Sequence, residues 1–265
     1  MQIGEVLQER VMPSMVRRAC AELGIQCHFF SDDWVARLKR GDKMAWIFGY
    51  KFDINASAAA SLAQDKVATH LALKAAGIPS VPHLLARTYG MQLASLTEMV
   101  DFLPQGNSVV IKPLNGTGGR GIQRCEDVEQ ALAVIRDELE PAWTLSPYID
   151  LIKETRLIML DGAVLLAYEK RNPVIHDGMK FFNLCQGAKA VDIEPSPVLH
   201  RMARQTCGAL SLRIAAVDIV HTVSGDNLVL EVNDGIMTEN YARQSTANAQ
   251  RAKKVYEAII ARMMV

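Results

Sequence analysis

Residues 108–125 read SVVIKPLNGTGGRGIQRC. The β-branched run at 109–111 predicts a buried strand that ends at Lys112-Pro113, because proline cannot donate a hydrogen bond to a sheet ladder. Four of the seven residues after Leu114 are glycines, and the N–H groups of such a segment can approach an anion closely. The seven are Asn115, Gly116, Thr117, Gly118, Gly119, Arg120 and Gly121. This composition is typical of a phosphate-binding loop.

Two widespread phosphate-binding motifs do not fit this loop. Gly116, Gly118 and Gly121 satisfy G-x-G-x-x-G, but in dinucleotide-binding folds the third glycine already lies in a helix. Here residues 122–125 are typical of a second short strand, and a helical pattern begins only near Asp127. No Gly-Lys-Ser/Thr follows, which excludes a P-loop. The loop therefore joins two strands, and an ordinary glycine-rich hairpin turn is the alternative.

The composition limits the class of protein. Lys+Arg and Asp+Glu both total 29 in 265 residues, so no basic excess indicates a nucleic acid or an anionic membrane as the partner. No apolar run approaches the length that spans a membrane. Five scattered cysteines without a C-x-x-C pair are typical of reduced thiols. We therefore expect a cytoplasmic protein that binds a small molecule or a peptide segment.

A second basic residue lies upstream of the loop. Asp65-Lys66 opens an amphipathic helical segment that ends at Gly77, and Ile78-Pro79 then begins an extended segment. Taken alone, Lys66 is typical of a solvated helix charge. Because it precedes Lys112 and the glycine loop, it is also a candidate second contact for phosphate.

Two C-terminal strands predict a hairpin that brings polar side chains together. The segments AVDIV and LVLEVN flank the turn. With Gly225-Asp226 at the centre of that turn, Asp218 lies opposite Asn233, and Val220 lies opposite Glu231. Side chains alternate along a strand and paired residues share a face, so the two carboxylates and the amide are expected on one face.

Such a cluster needs a positive charge to hold it together. Neighbouring carboxylates repel one another unless a cation or a guanidinium lies between them. Hard oxygen ligands of this kind suit Mg²⁺. The predicted metal ligands are therefore Asp218, Glu231 and Asn233. A purely structural cluster bridged by Arg156 or Arg171 is the alternative.

The order of these motifs resembles the ATP-grasp superfamily. Within it, the chain is similar to the branch of ribosomal-protein glutamate ligases and glutathione synthetases. The resemblance implies an α/β fold with α+β lobes, in which ATP lies between two lobes preceded by a small N-terminal α/β domain. The expected division is 1–62 for that domain, 63–148 for the small lobe with the glycine loop, and 149–265 for the large lobe with the metal site.

The resemblance also implies where the nucleoside binds. Backbone groups near Tyr148 and Ile149 would read adenine, and a carboxylate, Asp150 or else Glu154, would bind the ribose hydroxyls. Relatives usually carry Gln-Glu before the hydrophobic hinge residue. This chain has Ser146-Pro147 instead, and proline supplies no N–H.

For the transferred phosphate, the resemblance implies a set of cations, amides and oxygen ligands. An arginine fork meets oxyanions bidentately and stays charged, which suits the γ-phosphate and an acyl phosphate. A single arginine more often forms a surface salt bridge. The functional assignment therefore depends on Arg156, Arg171 and Asn183 occurring together in this order. The implied residues are Arg156, Arg171 and Lys112 for catalysis, Lys66, the loop residues 115–121 and Asn183 for the nucleotide, and the three metal ligands for Mg²⁺.

These expectations amount to an ATP-dependent carboxylate–amine ligase. The cofactors implied are ATP and Mg²⁺, with two ions expected and Mn²⁺ as a substitute. The partners would be a small carboxylate and an amine, or a peptide tail, without nucleic acid or membrane; a homo-oligomer is left open. The N-terminal domain is short, which is compatible with an open site for a peptide. A nucleotide-binding regulatory protein and a small-molecule kinase of the same fold are the alternatives.

Overall fold

The computed structural model describes residues 10–87, 108–114, 116, 119, 121–137 and 142–265. The chain forms two compact units, one of Met1–Ile54 with Gly235–Val265 and the other of Asn55–Asp234. The C-terminal segment thus joins the N-terminal one, and the expected sequential division at 62 and 148 stays a prediction. No helix in the described part of the chain is long and apolar enough to cross a membrane.

The helices and strands follow in chain order. The helices are α1 (Met12–Glu22), α2 (Ser57–Gln64), α3 (Lys66–Ala75), α4 (Val128–Asp137), α5 (Pro197–Ala209), α6 (Glu239–Ala242) and α7 (Thr246–Met263). The strands of the first unit are β1 (Gln26–Phe30), β2 (Val35–Arg40), β3 (Lys43–Phe48) and β4 (Lys51–Phe52). The strands of the second unit are β5 (Leu84–Arg87), β6 (Val109–Pro113), β7 (Gln123–Cys125), β8 (Ala142–Pro147), β9 (Leu151–Leu160), β10 (Ala163–Arg171), β11 (Val174–His176), β12 (Met179–Phe181), β13 (Lys189–Asp192), β14 (Ile214–Thr222) and β15 (Asn227–Asn233).

The first unit is an antiparallel sheet in the order β1-β2-β3-β4, with α1 and α7 packed together. The sequence pattern predicts a helix at 15–23 with Gly24 as its C-cap, a strand at 25–30 and another at 45–48, and all three are present with shifted ends. Strand β2 was not predicted. Its sequence, VARLKR, buries only two small or apolar side chains among basic ones, which is a weak strand signal.

Among its described residues, the second unit contains a larger antiparallel sheet in the order β13-β10-β9-β14-β15, a smaller one in the order β5-β8-β6-β7, and a two-stranded sheet of β11 and β12. Asp161-Gly162 is a strong turn signal in the sequence. It joins β9 to β10, and both residues have positive φ, 47° and 84°, as a type I′ turn requires. The glycine loop follows β6 and precedes β7, so it joins two strands as predicted. The smaller sheet packs its apolar face on α4.

The larger sheet has one apolar face and one polar face. Its apolar face packs against α2, α3 and α5 and forms the main core of the unit. Helix α5 begins at Pro197, because Ser196 caps the N-terminus by accepting a hydrogen bond from Leu199 N–H and proline suits the first helical position. The core side chains on the sheet include Leu157, Met159, Ala167, Val217, Ile219 and Val232. The polar face is therefore left for the candidate site.

The predicted register of β14 and β15 is wrong. Asp218 lies opposite Glu231, and Asn233 lies opposite Ala216. A bulge between Asp218 and Ile219 inserts Leu230 as an unpaired residue. Because Glu231 and Asn233 are two residues apart and alternate residues share a face, the expected clustering survives the change of register.

The turn explains the error. The sequence placed its centre at Gly225-Asp226, but strand pairing ends at His221 and Asn227, which centres the connection on Ser224. Thr222 holds this longer loop closed, because its N–H donates to the Asp226 carbonyl and its hydroxyl accepts from Asp226 N–H, both at 3.0 Å. Gly225 takes the left-handed position, with φ at 92°. Turn propensities do not include side-chain hydrogen bonds of this kind, so they misplaced the centre of the turn.

Candidate functional site

A row of polar residues crosses the polar face of the larger sheet. The register aligns Tyr168 on β10, Arg156 on β9, Asp218 on β14 and Glu231 on β15. Four neighbouring strands thus each contribute one side chain at the same level of the sheet. Strand alternation requires these side chains to share a face.

Asp218 is enclosed, with only 2% of its side-chain surface exposed. Arg156 donates to both carboxylate oxygens, from Nε to Oδ1 at 2.8 Å and from a terminal nitrogen to Oδ2 at 2.5 Å. Lys170 Nζ lies 3.3 Å from Asp218 Oδ1 and also donates to Glu154. Two carboxylates and two cations therefore form one buried network.

The network keeps Asp218 ionised. Burial would raise the pKa of Asp218, but the charges of Arg156 and Lys170 outweigh it and hold the pKa below its ordinary value. Burial raises the pKa of Glu154, which Lys170 only partly offsets. The described contacts of Asp218 therefore match the structural alternative, in which Arg156 compensates the carboxylate.

Lys66 connects three distant segments of the chain. It is the first residue of α3, and Asp65 caps the helix by accepting hydrogen bonds from Val67 and Ala68 N–H at 2.9 Å. The Lys66 Nζ lies 3.5 Å from Glu231 Oε1 and donates to the Gly116 carbonyl at 3.4 Å. The predicted helix start, the glycine loop and the predicted metal ligand therefore meet at one ammonium group.

Lys112 belongs to the same group of charges. It lies near the end of β6, opposite Thr144 of β8. Burial lowers the pKa of Lys112; Glu231 and Glu154 act in the opposite direction, and Lys66 lowers the pKa further. Two lysines thus lie in one electrostatic environment, where an added polyanion would relieve their repulsion.

The glycine loop lies close to Asn183. Gly119 has φ at 78°, and a Cβ built there would lie 2.4 Å from Asn183 Nδ2. Gly121 has φ at 70°, and its added Cβ would lie 2.8 Å from the Pro113 ring. Only glycine fits both positions without movement of a neighbour. The other predicted loop residues, Asn115, Thr117, Gly118 and Arg120, lie outside the described residues.

We expect Gly119→Ala to lower kcat/KM for ATP by roughly tenfold, because left-handed strain alone costs about 1–3 kcal/mol and the new methyl group also meets Asn183. The matched control is Gly24→Ala, since Gly24 has a similar φ of 64° but nothing lies within 4 Å of an added Cβ. Steady-state ATP hydrolysis and a denaturant titration of both variants test this. Equal turnover in both variants would contradict a role of the loop in nucleotide binding.

A cleft lies beside these charges. Its empty volume is about 750 Å³, open solvent included. Lys112, Glu154 and Asn183 line it together with the hinge residues Tyr148 and Ile149. The remaining lining is largely apolar, as a site for a planar base requires.

Two of the predicted hinge contacts are already engaged within the protein. The Tyr148 N–H donates to the Ser108 carbonyl at 2.8 Å, so it is engaged within the protein. Asp150 pairs with Lys180 at 2.8 Å, a hydrogen bond that lowers the pKa of Asp150. Pro147 is the last residue of β8 and pairs with Val109 of β6. On the other side of β8, pairing with β5 ends at Leu145, so Pro147 needs no N–H there.

Arg171 is engaged at the surface. Its side chain is half exposed and donates to Glu169 Oε2 at 2.9 Å from Nε and at 2.6 Å from a terminal nitrogen. This is the salt-bridge alternative for a single arginine. The catalytic assignments of Arg156, Arg171 and Lys112 stay predictions.

His83 was not predicted from the sequence. It is buried, its Nδ1 is hydrogen-bonded to Thr144 Oγ1 at 2.8 Å, and its Nε2 has no hydrogen-bond partner among the described residues. Burial lowers the pKa of His83, and Lys112 and Lys66 lower it further. A single histidine after a proline matches no sequence motif that would indicate a functional role. Lys170, by contrast, could have been found from strand alternation with Tyr168.

The predicted metal ligands provide an all-oxygen donor set. Within the described part of the chain, no group of three His, Cys, Asp or Glu side chains is arranged to hold a metal ion. Glu231 and Asn233 share the polar face with Asp218, and an amide completes the set of three. Hard oxygen donors beside excess positive charge fit Mg²⁺ that arrives with phosphate.

Comparison with known proteins decides the family. A family model of the RimK-like ATP-grasp domain matches residues 63–259. The chain belongs to the RimK-like ATP-grasp domain family. This confirms the resemblance, the ATP-grasp fold and the class of ATP-dependent amino-acid or peptide ligases. The family uses ATP and Mg²⁺.

Individual relatives are distant. A probable alpha-L-glutamate ligase of Legionella pneumophila (strain Corby) is 28% identical over 211 residues, which cover 78% of this chain and 67% of the relative. A bifunctional glutathione synthetase from Pasteurella multocida has a TM-score of 0.64 at 13% identity, covering 97% of this chain and 44% of that one. The ATP-grasp ligase PsnB, complexed with a phosphomimetic variant of its minimal precursor, Mg and ADP, has a TM-score of 0.59 at 17% identity, covering 79% and 61%.

Proposed function

We propose that this RimK-like ATP-grasp domain joins a carboxylate to an amine at the polar face of the larger sheet, with ATP as the energy source. One observation supports the location above all others. Lys66 lies within 3.5 Å of both Glu231 and the Gly116 carbonyl. A phosphate that bound there would contact the helix start, the glycine loop and the metal ligands at once.

The phosphates would be bound by lysines and backbone amides. Lys66 and Lys112 supply the fixed charges, and the loop at 115–121 supplies N–H groups, with Asn183 beside it. The surrounding carboxylates are compensated by Arg156 and Lys170, so the lysines retain positive potential for a polyanion. The nucleotide would lie between the proposed lobes 63–148 and 149–265, ahead of which the domain at 1–62 is placed.

The nucleoside would occupy the cleft at the hinge. Because Tyr148 N–H is engaged by Ser108, the backbone of Ile149 is the better candidate to read adenine. Glu154 is held by Lys170, whereas Asp150 is exposed and pairs only with a surface lysine among the contacts described. Asp150 is therefore the better candidate for the ribose hydroxyls.

Asp218, Glu231 and Asn233 would hold Mg²⁺. Two ions are proposed, with Mn²⁺ as a possible substitute. When bound, the metal would neutralise charge on the transferred phosphate. The enclosed position of Asp218 implies that it also fixes Arg156 beside the phosphate, which would give the arginine its catalytic place.

The chemistry has two steps. A carboxylate oxygen of the first substrate attacks the γ-phosphorus, the bond to the β-phosphate oxygen breaks, and ADP leaves. The amine nitrogen of the second substrate then attacks the acyl carbon, phosphate leaves with the oxygen that had attacked, and the nitrogen loses a proton. Arg156, Lys112 and Arg171 would stabilise the charge on the phosphoryl group. No protein nucleophile is required.

The substrates are proposed to be an amino acid and either a second amino acid or a peptide tail. The named relatives and the precursor peptide bound to PsnB support this choice. A cytoplasmic location stays a prediction from the cysteine pattern. All five cysteines are free thiols in the structure.

Oxygen transfer tests the reaction. The protein is incubated with ATP, Mg²⁺ and glutamate labelled with heavy oxygen in its carboxylates, together with an amino-acid mixture or a set of peptides, and products are identified by mass spectrometry. We expect ADP and an amide product, with one labelled oxygen in the released phosphate wherever glutamate supplies the activated carboxylate and none where it supplies the amine. A stable phosphorylated product would indicate a kinase instead. Activity with free amino acids but not with peptides would remove the peptide tail as substrate.

A further inference from the structure

The sheet of the first unit leaves one face exposed. Alternate residues are buried along β2 and β3 and half-buried along β1, and the buried ones include Ala36, Leu38, Ala45 and Ile47. The outward residues form what we call the aromatic–basic face. Its members are His28, Phe30, Arg37, Lys39, Met44, Trp46 and Phe48.

The face exposes an unusual amount of apolar surface. Three successive outward residues of β3 are Met44, Trp46 and Phe48, with 54%, 41% and 59% of their surface exposed. Phe30 on β1 lies 6.2 Å from Trp46, measured between ring centres. A contiguous exposed apolar patch of this kind indicates an interaction site.

The charges on this face are of one sign. Arg37 lies opposite His28 on one side and Trp46 on the other, and Lys39 lies opposite Met44. No carboxylate occupies an outward position of the described strands β1 to β4. Asp33, in the turn before β2, is paired with Arg17 at 2.5 Å. The partner is therefore expected to be anionic.

The rings favour a peptide over a nucleic acid. Base stacking needs an open ring face, but two of the rings on this face, Phe30 and Phe48, already contact neighbouring side chains. Arg37 lies over the ring of Phe30. Trp34 and Phe48 pack edge to face at 83°. What remains exposed is apolar surface beside cations, which suits aliphatic and aromatic side chains next to carboxylates.

We propose that the aromatic–basic face binds an acidic peptide segment that carries aromatic or aliphatic side chains. This binding does not depend on the ligase chemistry, because the face lies on β1 to β3 and none of its residues belongs to the candidate site. It adds a peptide contact on the first unit to the peptide substrate proposed for the second.

Fluorescence polarisation with the full chain tests the proposal. The probe is a labelled peptide of about ten residues, enough to cross several strands, composed of Glu, Phe and Leu. Two control peptides replace Glu by Lys, or Phe and Leu by Ser. We expect saturable binding of the first peptide that weakens at high salt, and at least about tenfold weaker binding of both controls. Equal binding of the three peptides would overturn the proposal.

Variants locate the site on the face. Phe48→Ser and Arg37→Glu are each expected to weaken binding by about tenfold, as truncation of a central contact does. The matched controls are Val198→Ser and Arg201→Glu, an exposed apolar residue and an exposed cation of α5, which are expected to leave affinity within about twofold. Hydrogen exchange of the unmodified protein gives an independent measurement. Protection of β1 to β3 on peptide addition is expected, and protection elsewhere alone would overturn the proposal.

Two other partners are distinguished by the same design. Tighter binding of a single-stranded oligouridine than of the acidic peptide would overturn the proposal in favour of a nucleic acid. A dimer in sedimentation that becomes a monomer in Phe48→Ser would also overturn it, because a second copy would then cover the face.

Discussion

Lys112→Met should lower kcat/KM for ATP by about 10²–10³-fold, the usual loss when one fixed donor to a reacting oxyanion is removed. Stability should not fall with it. Burial lowers the pKa of Lys112, which means that the folded protein disfavours its charge, and methionine fills similar volume without one. An inactive variant that unfolds at the same or a higher denaturant concentration is the expected result, as measured by ATP turnover and a urea titration.

Controls separate the charge from the side chain. Lys189→Met removes an exposed lysine from β13 and should keep turnover within about twofold. In the unmodified protein, a pKa below the ordinary 10.5 means that the Lys112 ammonium is lost at lower pH than usual. The alkaline decline of kcat/KM for ATP should therefore shift upward in Lys112→Arg, because arginine stays charged. Full activity of Lys112→Met would contradict its place in the phosphate site.

The parts of the site that the sequence predicted are local in the chain. Asp65 caps the helix that begins at Lys66 within three residues, and the loop that follows Lys112 is contiguous. Such features depend on spacing that is visible in the sequence. The chemical class followed because the resemblance rested on several of these local motifs in order, and the family match confirmed it.

The parts that the sequence missed depend on distant pairing. Arg156 and Asp218 are 62 residues apart and meet only because β9 lies beside β14. The bulge after Asp218 changed the register by an amount that turn propensities do not encode. His83 gave no pattern because burial, and not spacing, sets its environment. Strand order and bulges are tertiary features. A single sequence therefore predicts which side chains share a face of a strand, but not which residues of other strands they pair with.

Asp218 and Glu231 are both predicted metal ligands, but replacing them should have different consequences. Asp218→Asn leaves Arg156 and Lys170 buried with a neutral amide, and breaking a buried ion pair in this way costs about 3–5 kcal/mol. Glu231 is 33% exposed on its side chain and is paired with Lys66 at 3.5 Å. Glu231→Gln should therefore change the free energy of unfolding by less than about 0.5 kcal/mol.

The dependence of stability on pH provides a second test of Asp218. Because Arg156 and Lys170 hold its pKa below the ordinary 3.8, its ionisation stabilises the fold at pH above the unfolded value. That contribution is lost as the pH falls through the lower folded value. The acid decline in the free energy of unfolding should be shallower in Asp218→Asn, since the amide does not titrate.

Activity distinguishes the two roles. Glu231→Gln should keep the fold and lose at least about 10²-fold in kcat, because a charge that acts on the transferred phosphate is removed without disturbing the core. Thr222→Ser, a conservative change in the turn between the same strands, is the control and should retain most of its turnover. Denaturant titration measures the free energy of unfolding, and ADP release measures turnover, so the two effects are determined independently. A Glu231→Gln variant with full turnover would contradict the metal site, and an Asp218→Asn variant with unchanged stability would contradict the buried network, so each prediction can fail while the other holds.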